Sequence, residues 1–83
     1  MTEQHSFTAL QLAILRVLWE RGEATVNEIW EALHDERGLA QTTLATMLSR
    51  LEKRGAVSHR TDARQYIYRA LVTEDAARHS MVS

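Results

Sequence analysis

The sequence predicts one mainly α-helical domain with a small β-hairpin, and three observations predict it. Three segments with helical apolar spacing each end at a glycine, at Gly22, Gly38 and Gly55. After Gly55 the apolar period shortens to two, in two short runs that read as paired strands. Proline is absent, so nothing inside the helical segments breaks them. Three helices, the last two joined by a short glycine turn, followed by a hairpin and the start of a fourth helix, make a winged helix-turn-helix.

The first segment runs from Thr8 to Arg21. Thr8 and Gln11 have capping-box spacing, and Phe7 and Leu12 have the spacing of a hydrophobic staple. Leu10, Leu12, Ile14, Leu15, Val17, Leu18 and Trp19 surround most of the helix, as in a central helix covered on several sides. The second segment starts at "TVNEIWEAL", where Thr25 and Glu28 repeat the capping-box pattern. Val26, Ile29, Trp30 and Leu33 form its apolar stripe, with Glu28, Glu31 and Asp35 on the wet side. "DERG" (Asp35 to Gly38) turns the chain. In the third segment, "LAQTTLATMLSRLEKRG", Leu44, Met47, Leu48 and Leu51 face the core. "AVSHR" (Ala56 to Arg60) and "QYIYRA" (Gln65 to Ala70) are the strands, joined by Thr61 to Arg64. Tyr66 and Tyr68 share one strand face. A short strand near Ala24 is expected to add to the hairpin, and Thr73 to cap a final helix from Glu74. The division expected is a tail over residues 1–7, the winged-helix domain over 8–72, and over 73–83 the start of a C-terminal helix leading to a missing or reduced dimerisation region.

Eighty-three residues suffice for one small core. A chain of this size buries roughly 60–65% of its unfolded surface. Without cysteine there are no disulfides and no thiolate metal sites, which fits a cytoplasmic protein. The longest apolar run, Leu12 to Leu15, is far too short for a membrane span, and Met1 to Ser6 lacks the cationic start and apolar core of a secretion signal. Net charge is −1, but residues 1–39 carry −4 and residues 40–72 carry +4. Cations gathered in one contiguous third of a nearly neutral chain imply a basic surface.

That basic third contains an unusual helix face. Thr42, Thr46, Ser49 and Lys53 lie opposite the apolar stripe, flanked by Thr43 and Arg50. An ordinary wet face favours Glu, Lys and Gln, which have better helix propensity than threonine. Short hydroxyl side chains let a helix approach base edges, and a threonine methyl packs on the thymine methyl. Arg50 and Lys53 have the reach for phosphates or guanine. The helix lacks a strong N-cap, having only Ala40 and Gln41 there, so its free N–H groups suit a phosphate. Arg60 and Arg64 bracket the hairpin tip, placed for a DNA backbone or minor groove.

A family resemblance rests on "LAILRVLWERGEATVNEIWEAL" (Leu12 to Leu33), "LAQTTLATMLSRLEKRGAV" (Leu39 to Val57) and "YIYRALVT" (Tyr66 to Thr73). The Leu-Trp end of the first helix, the T-x-x-T-x-x-x-R-L core (Thr43, Thr46, Arg50, Leu51) and the tyrosine-rich second wing strand carry it. The chain resembles the BlaI/MecI-type penicillinase repressors, to which the copper-responsive CopY repressors are also similar. The resemblance covers Thr8 to Thr73. It implies a dimeric bacterial transcriptional repressor of pseudo-palindromic operators with TACA/TGTA half-sites. It also implies a C-terminal helical dimerisation region, cut by a sensor protease in the penicillinase branch. Ser83 falls where that region begins, so the 83 residues are expected to be a homodimer on DNA but monomeric or weakly dimeric off it. The copper branch uses C-terminal cysteines, which this sequence does not have.

Other chemistry finds no support in the sequence. His5, His34, His59 and His79 include no pair at i, i+4 and no completing carboxylate, so no metal and no cofactor is expected. No phosphate-cradling glycine loop or nucleophile motif is present, and an enzyme is not expected. The competing reading is a winged helix that binds another protein through its third helix and wing. Such an interface needs apolar anchors on the outward face of the third helix, and that face offers none.

Overall fold

The computed structural model of the chain describes residues 7–77, except for the side chains of Glu36 and Arg37. His5, His79 and any helix beyond residue 77 lie outside the described residues. The elements follow in the order α1 (Ala9–Arg21), β1 (Ala24–Thr25), α2 (Val26–Arg37), α3 (Gln41–Lys53), β2 (Val57–Asp62) and β3 (Gln65–Ala70). A helical core is covered on one side by a three-stranded antiparallel sheet of order β1-β3-β2.

Both expected capping boxes start their helices. The Gln11 backbone N–H donates to Thr8 Oγ1 at 3.1 Å, and the Thr8 N–H donates to Gln11 Oε1 at 3.0 Å. In α2 the Glu28 N–H donates to Thr25 Oγ1 and the Thr25 N–H to Glu28 Oε1. Each box satisfies two donors that a helix start would otherwise leave open. Helix α2 ends at Gly38, whose φ of 57° is left-handed and suits the residue without a Cβ. The bend into α3 is fixed by Trp30, whose Nε1–H donates to the Leu39 carbonyl at 2.5 Å while its ring stacks on His34 at 4.2 Å.

The core draws on every helix. Ile14, Leu15 and Leu18 of α1 meet Ile29 and Leu33 of α2, Leu44, Leu48 and Leu51 of α3, and Val57 and Tyr68 of the sheet. Met47, expected among them, is only half-buried. Truncating a fully enclosed leucine such as Leu48 to alanine costs about 2–5 kcal/mol. Phe7, placed by the sequence in the tail, is part of this core. The Arg54 guanidinium lies 4.5 Å from the Phe7 ring and also donates to Gln11 Oε1 at 3.4 Å, so Gln11 is buried yet satisfied. After the sheet, Thr73 caps a helical turn over 74–77 as expected, with Thr73 Oγ1 accepting from the Ala76 N–H at 3.0 Å.

The third strand forms where expected, with Ala24 opposite Tyr68 and Thr25 opposite Ile67. The wing differs from its reading. Strand β2 does not stop at Arg60: Thr61 pairs with Tyr66 and Asp62 with Gln65. The four-residue connection therefore shrinks to the two residues Ala63 and Arg64, at φ 51° and 67°. Two-residue hairpins favour a turn with both residues left-handed, because its twist matches the strands, and they usually use Asn-Gly there. Ala63 and Arg64 adopt that conformation against a steric cost of roughly 1–2 kcal/mol each. The absence of Asn and Gly made the turn look longer in the sequence than it is.

Candidate nucleic-acid interface

Helix α3 turns Leu44, Leu48 and Leu51 inward and leaves Thr42, Thr43, Thr46, Ser49, Arg50 and Lys53 exposed. Packing on the inner side and the Trp30–Leu39 bond fix the helix at its start, so the outer face is carried on a rigid support. No side chain caps its N-terminus: Ala40 is the N-cap, with no side-chain hydrogen bond and no acidic residue in the first turn. The last turn carries Arg50 and Lys53. The Thr46 hydroxyl has one commitment, donating from Oγ1 to the Thr42 carbonyl at 3.1 Å. Its methyl and its oxygen lone pairs remain available.

The wing has two unlike faces. Side chains alternate along a strand, and directly paired residues share a face. Val57, His59, Tyr66 and Tyr68 fall on the side toward α3. Ser58, Arg60, Ile67 and Arg69 fall on the other side. Arg60 is thus not brought together with the α3 residues. Its guanidinium reaches Glu23 at 2.8 Å and Asp62 at 3.7 Å. The pair is exposed, yet Arg60 holds the Glu23 carboxyl below its ordinary value, first through the hydrogen bond and then through its charge. Arg64 sits in the turn at the tip, exposed.

The face toward α3 holds a cluster the sequence reading missed. His59 Nδ1 lies 2.8 and 2.9 Å from the two carboxylate oxygens of Glu52, the one acid within α3. Its ring stacks on Tyr66 at 4.2 Å and leans on Tyr68 at 5.3 Å. Tyr68 is buried, and burial, followed by the Glu52 carboxylate and Tyr66, pushes its phenol up from the ordinary value. From the sequence alone His59 is simply a strand residue. The signal for its partner was a carboxylate seven positions back, across the Gly55 turn. Among the described residues no group of histidines and carboxylates is arranged to hold a metal ion, and no helix is long and apolar enough to cross a membrane.

Fold and surface together define a winged helix-turn-helix whose third helix presents hydroxyls and cations. The chain belongs to the penicillinase repressor family, whose sequence model matches residues 7–83. It is 42% identical to the transcriptional regulator BlaI of Mycobacterium tuberculosis over 60 residues, 71% of this chain and 44% of that one. It spans about half the length of the curated relatives it matches. The solution structure of the DNA-binding domain of the repressor BlaI superposes with a TM-score of 0.76 at 27% identity, over 89% of this chain and 90% of that one. The Bacillus licheniformis BlaI monomeric form, solved in complex with the blaP half-operator, gives a TM-score of 0.72 at 27% identity, over 84% and 85% of the two chains.

Proposed function

We propose that this chain is a sequence-specific double-stranded DNA-binding transcriptional repressor. Helix α3 enters the major groove, and the wing rests on the backbone or minor groove. The observation that carries this reading is the exposed face of Thr42, Thr46, Ser49 and Lys53, flanked by Thr43 and Arg50, on a helix with an uncapped start. Thr43 and Thr46 read base edges, and Ser49 supports them. Arg50, Lys53 and Arg64 contact phosphate, while Arg60 does so only when released from Glu23. The BlaI relative solved on a half-operator supports one copy per half-site. Two copies on a pseudo-palindrome then make the working unit, with half-sites about one or two helical turns apart. This is a binding protein of the cytoplasm, with no catalytic role. Against a protein-docking role, the large exposed apolar side chains among the described residues are Tyr66 and Leu71, neither on α3.

Selection from random duplex DNA tests the reading. One short, two-fold-related motif should be enriched, with binding that weakens steeply in salt. Recovery of unenriched sequence, or no retention of DNA at low salt, overturns it.

A further inference from the structure

Tyr66 is a large aromatic left 51% exposed, two strand positions from its buried counterpart Tyr68. An exposed tyrosine is often a loose surface side chain, but this one is held. Its ring stacks on His59 with an interplanar angle of 26° and meets Tyr68 edge-on at 6.4 Å. His59 is in turn clamped by Glu52, from the last turns of α3. The chain of contacts therefore ties the wing's outer tyrosine to the helix itself. Tyr66 lies on the wing face toward α3, away from the Arg60–Glu23 pair. It also lines an open groove of about 530 Å³ with Gln65, Asn27 and Gln41, the first residue of α3. Among the described residues its hydroxyl has no hydrogen-bond partner.

We propose that Tyr66 is a further DNA contact, donating its hydroxyl to a backbone phosphate beside the half-site, and that His59 is the positioning residue that aims its ring. The inference rests on the DNA-binding reading above and extends its phosphate contacts to a further residue, with an uncharged hydroxyl as the donor. Tyrosine hydroxyls are regular donors to phosphate oxygens, and such contacts set register and affinity without reading sequence. The groove is bounded by Gln41, the first residue of α3, and by Gln65, the neighbour in sequence of Arg64 at the tip. A DNA strand leaving the major groove would pass along it. Its lining is mostly amide and hydroxyl, from Thr25, Asn27, Gln41, Gln65 and Tyr66, with Val26 and the Glu28 carboxylate on the α2 side, the latter accepting from the Thr25 N–H in the capping box.

The experiment uses the whole 83-residue chain and two duplexes of equal length, one selected by the chain and one of random sequence. Parent, Tyr66→Phe, His59→Ala and the double variant are titrated against both, with thermal unfolding alongside. Tyr66→Phe keeps the ring and its stacking, so its unfolding should match the parent. Its affinity for both duplexes should fall alike, roughly three- to tenfold, as for one lost hydrogen bond. His59→Ala should fall similarly in the parent but cost less than about twofold on top of Tyr66→Phe, because its effect passes through that hydroxyl. If His59→Ala does not fold, His59→Asn, which keeps a donor for Glu52 but lacks the ring, should behave the same way. Parent-like affinity of Tyr66→Phe for both duplexes, or a loss confined to the selected one, overturns the phosphate contact. An equal cost of the His59 change with and without the tyrosine hydroxyl overturns the positioning role. A parent that binds neither duplex overturns the DNA-binding reading itself, and this contact with it.

Discussion

Arg60 donates through Nη2 to Glu23 Oε1 at 2.8 Å, across the sheet face that turns away from α3. The two residues are 37 positions apart, joined only because β1 adds to the edge of β3. A cation expected at the wing tip is thereby turned aside and neutralised.

The first prediction follows from that pair. Glu23→Gln should free Arg60 and steepen the log–log salt dependence of binding to random duplex by up to about 1, while Arg60→Ala in the parent should change it little. The folded pKa of Glu23 lies below its unfolded value, so the pair's contribution is present above the ordinary carboxylate range. It is lost as the pH falls through the lowered folded value. Because both side chains are exposed, folding stability should barely respond to Glu23→Gln. Salt titrations of the three proteins check this, and an unchanged slope for Glu23→Gln would show that Arg60 is held away from DNA by more than its partner.

Thr46 gives the second. Its hydroxyl proton is committed to the Thr42 carbonyl, which leaves the methyl as the group placed to read thymine. Thr46→Val, which keeps the methyl, should retain the selected site. Thr46→Ser, which keeps the hydroxyl, should lose about 1 kcal/mol and blur one base-pair position, and Thr46→Ala about 1–3 kcal/mol. Binding to a set of single-base operator variants measures this. The reverse order for Val and Ser would assign the reading to the oxygen.

The third concerns the strained tip. Ala63→Asn should stabilise the domain by ~0.5–1 kcal/mol, because asparagine tolerates the left-handed backbone better than alanine. For a domain of this size that is a rise of roughly 2–8 °C in Tm. Arg64→Gly should also relieve strain but remove a phosphate contact, flattening the salt slope by about 1 for operator and random DNA alike. Opposite signs for stability and affinity in that one variant are the expected outcome of paired unfolding and binding assays.

The fourth concerns the bend between α2 and α3. Trp30→Phe keeps a ring for His34 to stack on but removes the donor to the Leu39 carbonyl. A half-buried carbonyl losing its partner costs about 1–3 kcal/mol, to be read from urea unfolding. Since that bond sets the start of α3, affinity for the selected duplex should fall more than affinity for random DNA.

Much of this was legible in the chain because the signals were local. Thr8 with Gln11 and Thr25 with Glu28 are three residues apart, and their bonds need no tertiary context. The outward face of α3 followed from period alone. What was missed depends on distant partners. Gln11 reads as a cap residue only, yet it is buried, with Arg54, 43 positions away, also donating to it. Glu52 gives no local signal in the sequence, and its role appears only once the wing folds back and brings His59 to it. Tyr66 and Tyr68 were placed on one face, but their unequal burial depends on how far the hairpin projects past the core. The turn at Ala63 and Arg64 escaped because the fold imposes a conformation that those residue types do not advertise.

That α3 and the wing form a DNA-reading surface can be observed residue by residue by following backbone amide resonances of the labelled chain during titration with its selected duplex. Shifts should concentrate on Gln41 to Lys53, on Arg64 and on Tyr66, with α1 nearly still and the same titration in a scrambled duplex weaker and reversed by salt. Shifts centred on α1 or on the outer sheet face around Ser58 and Arg69, or identical responses to both duplexes, would contradict it.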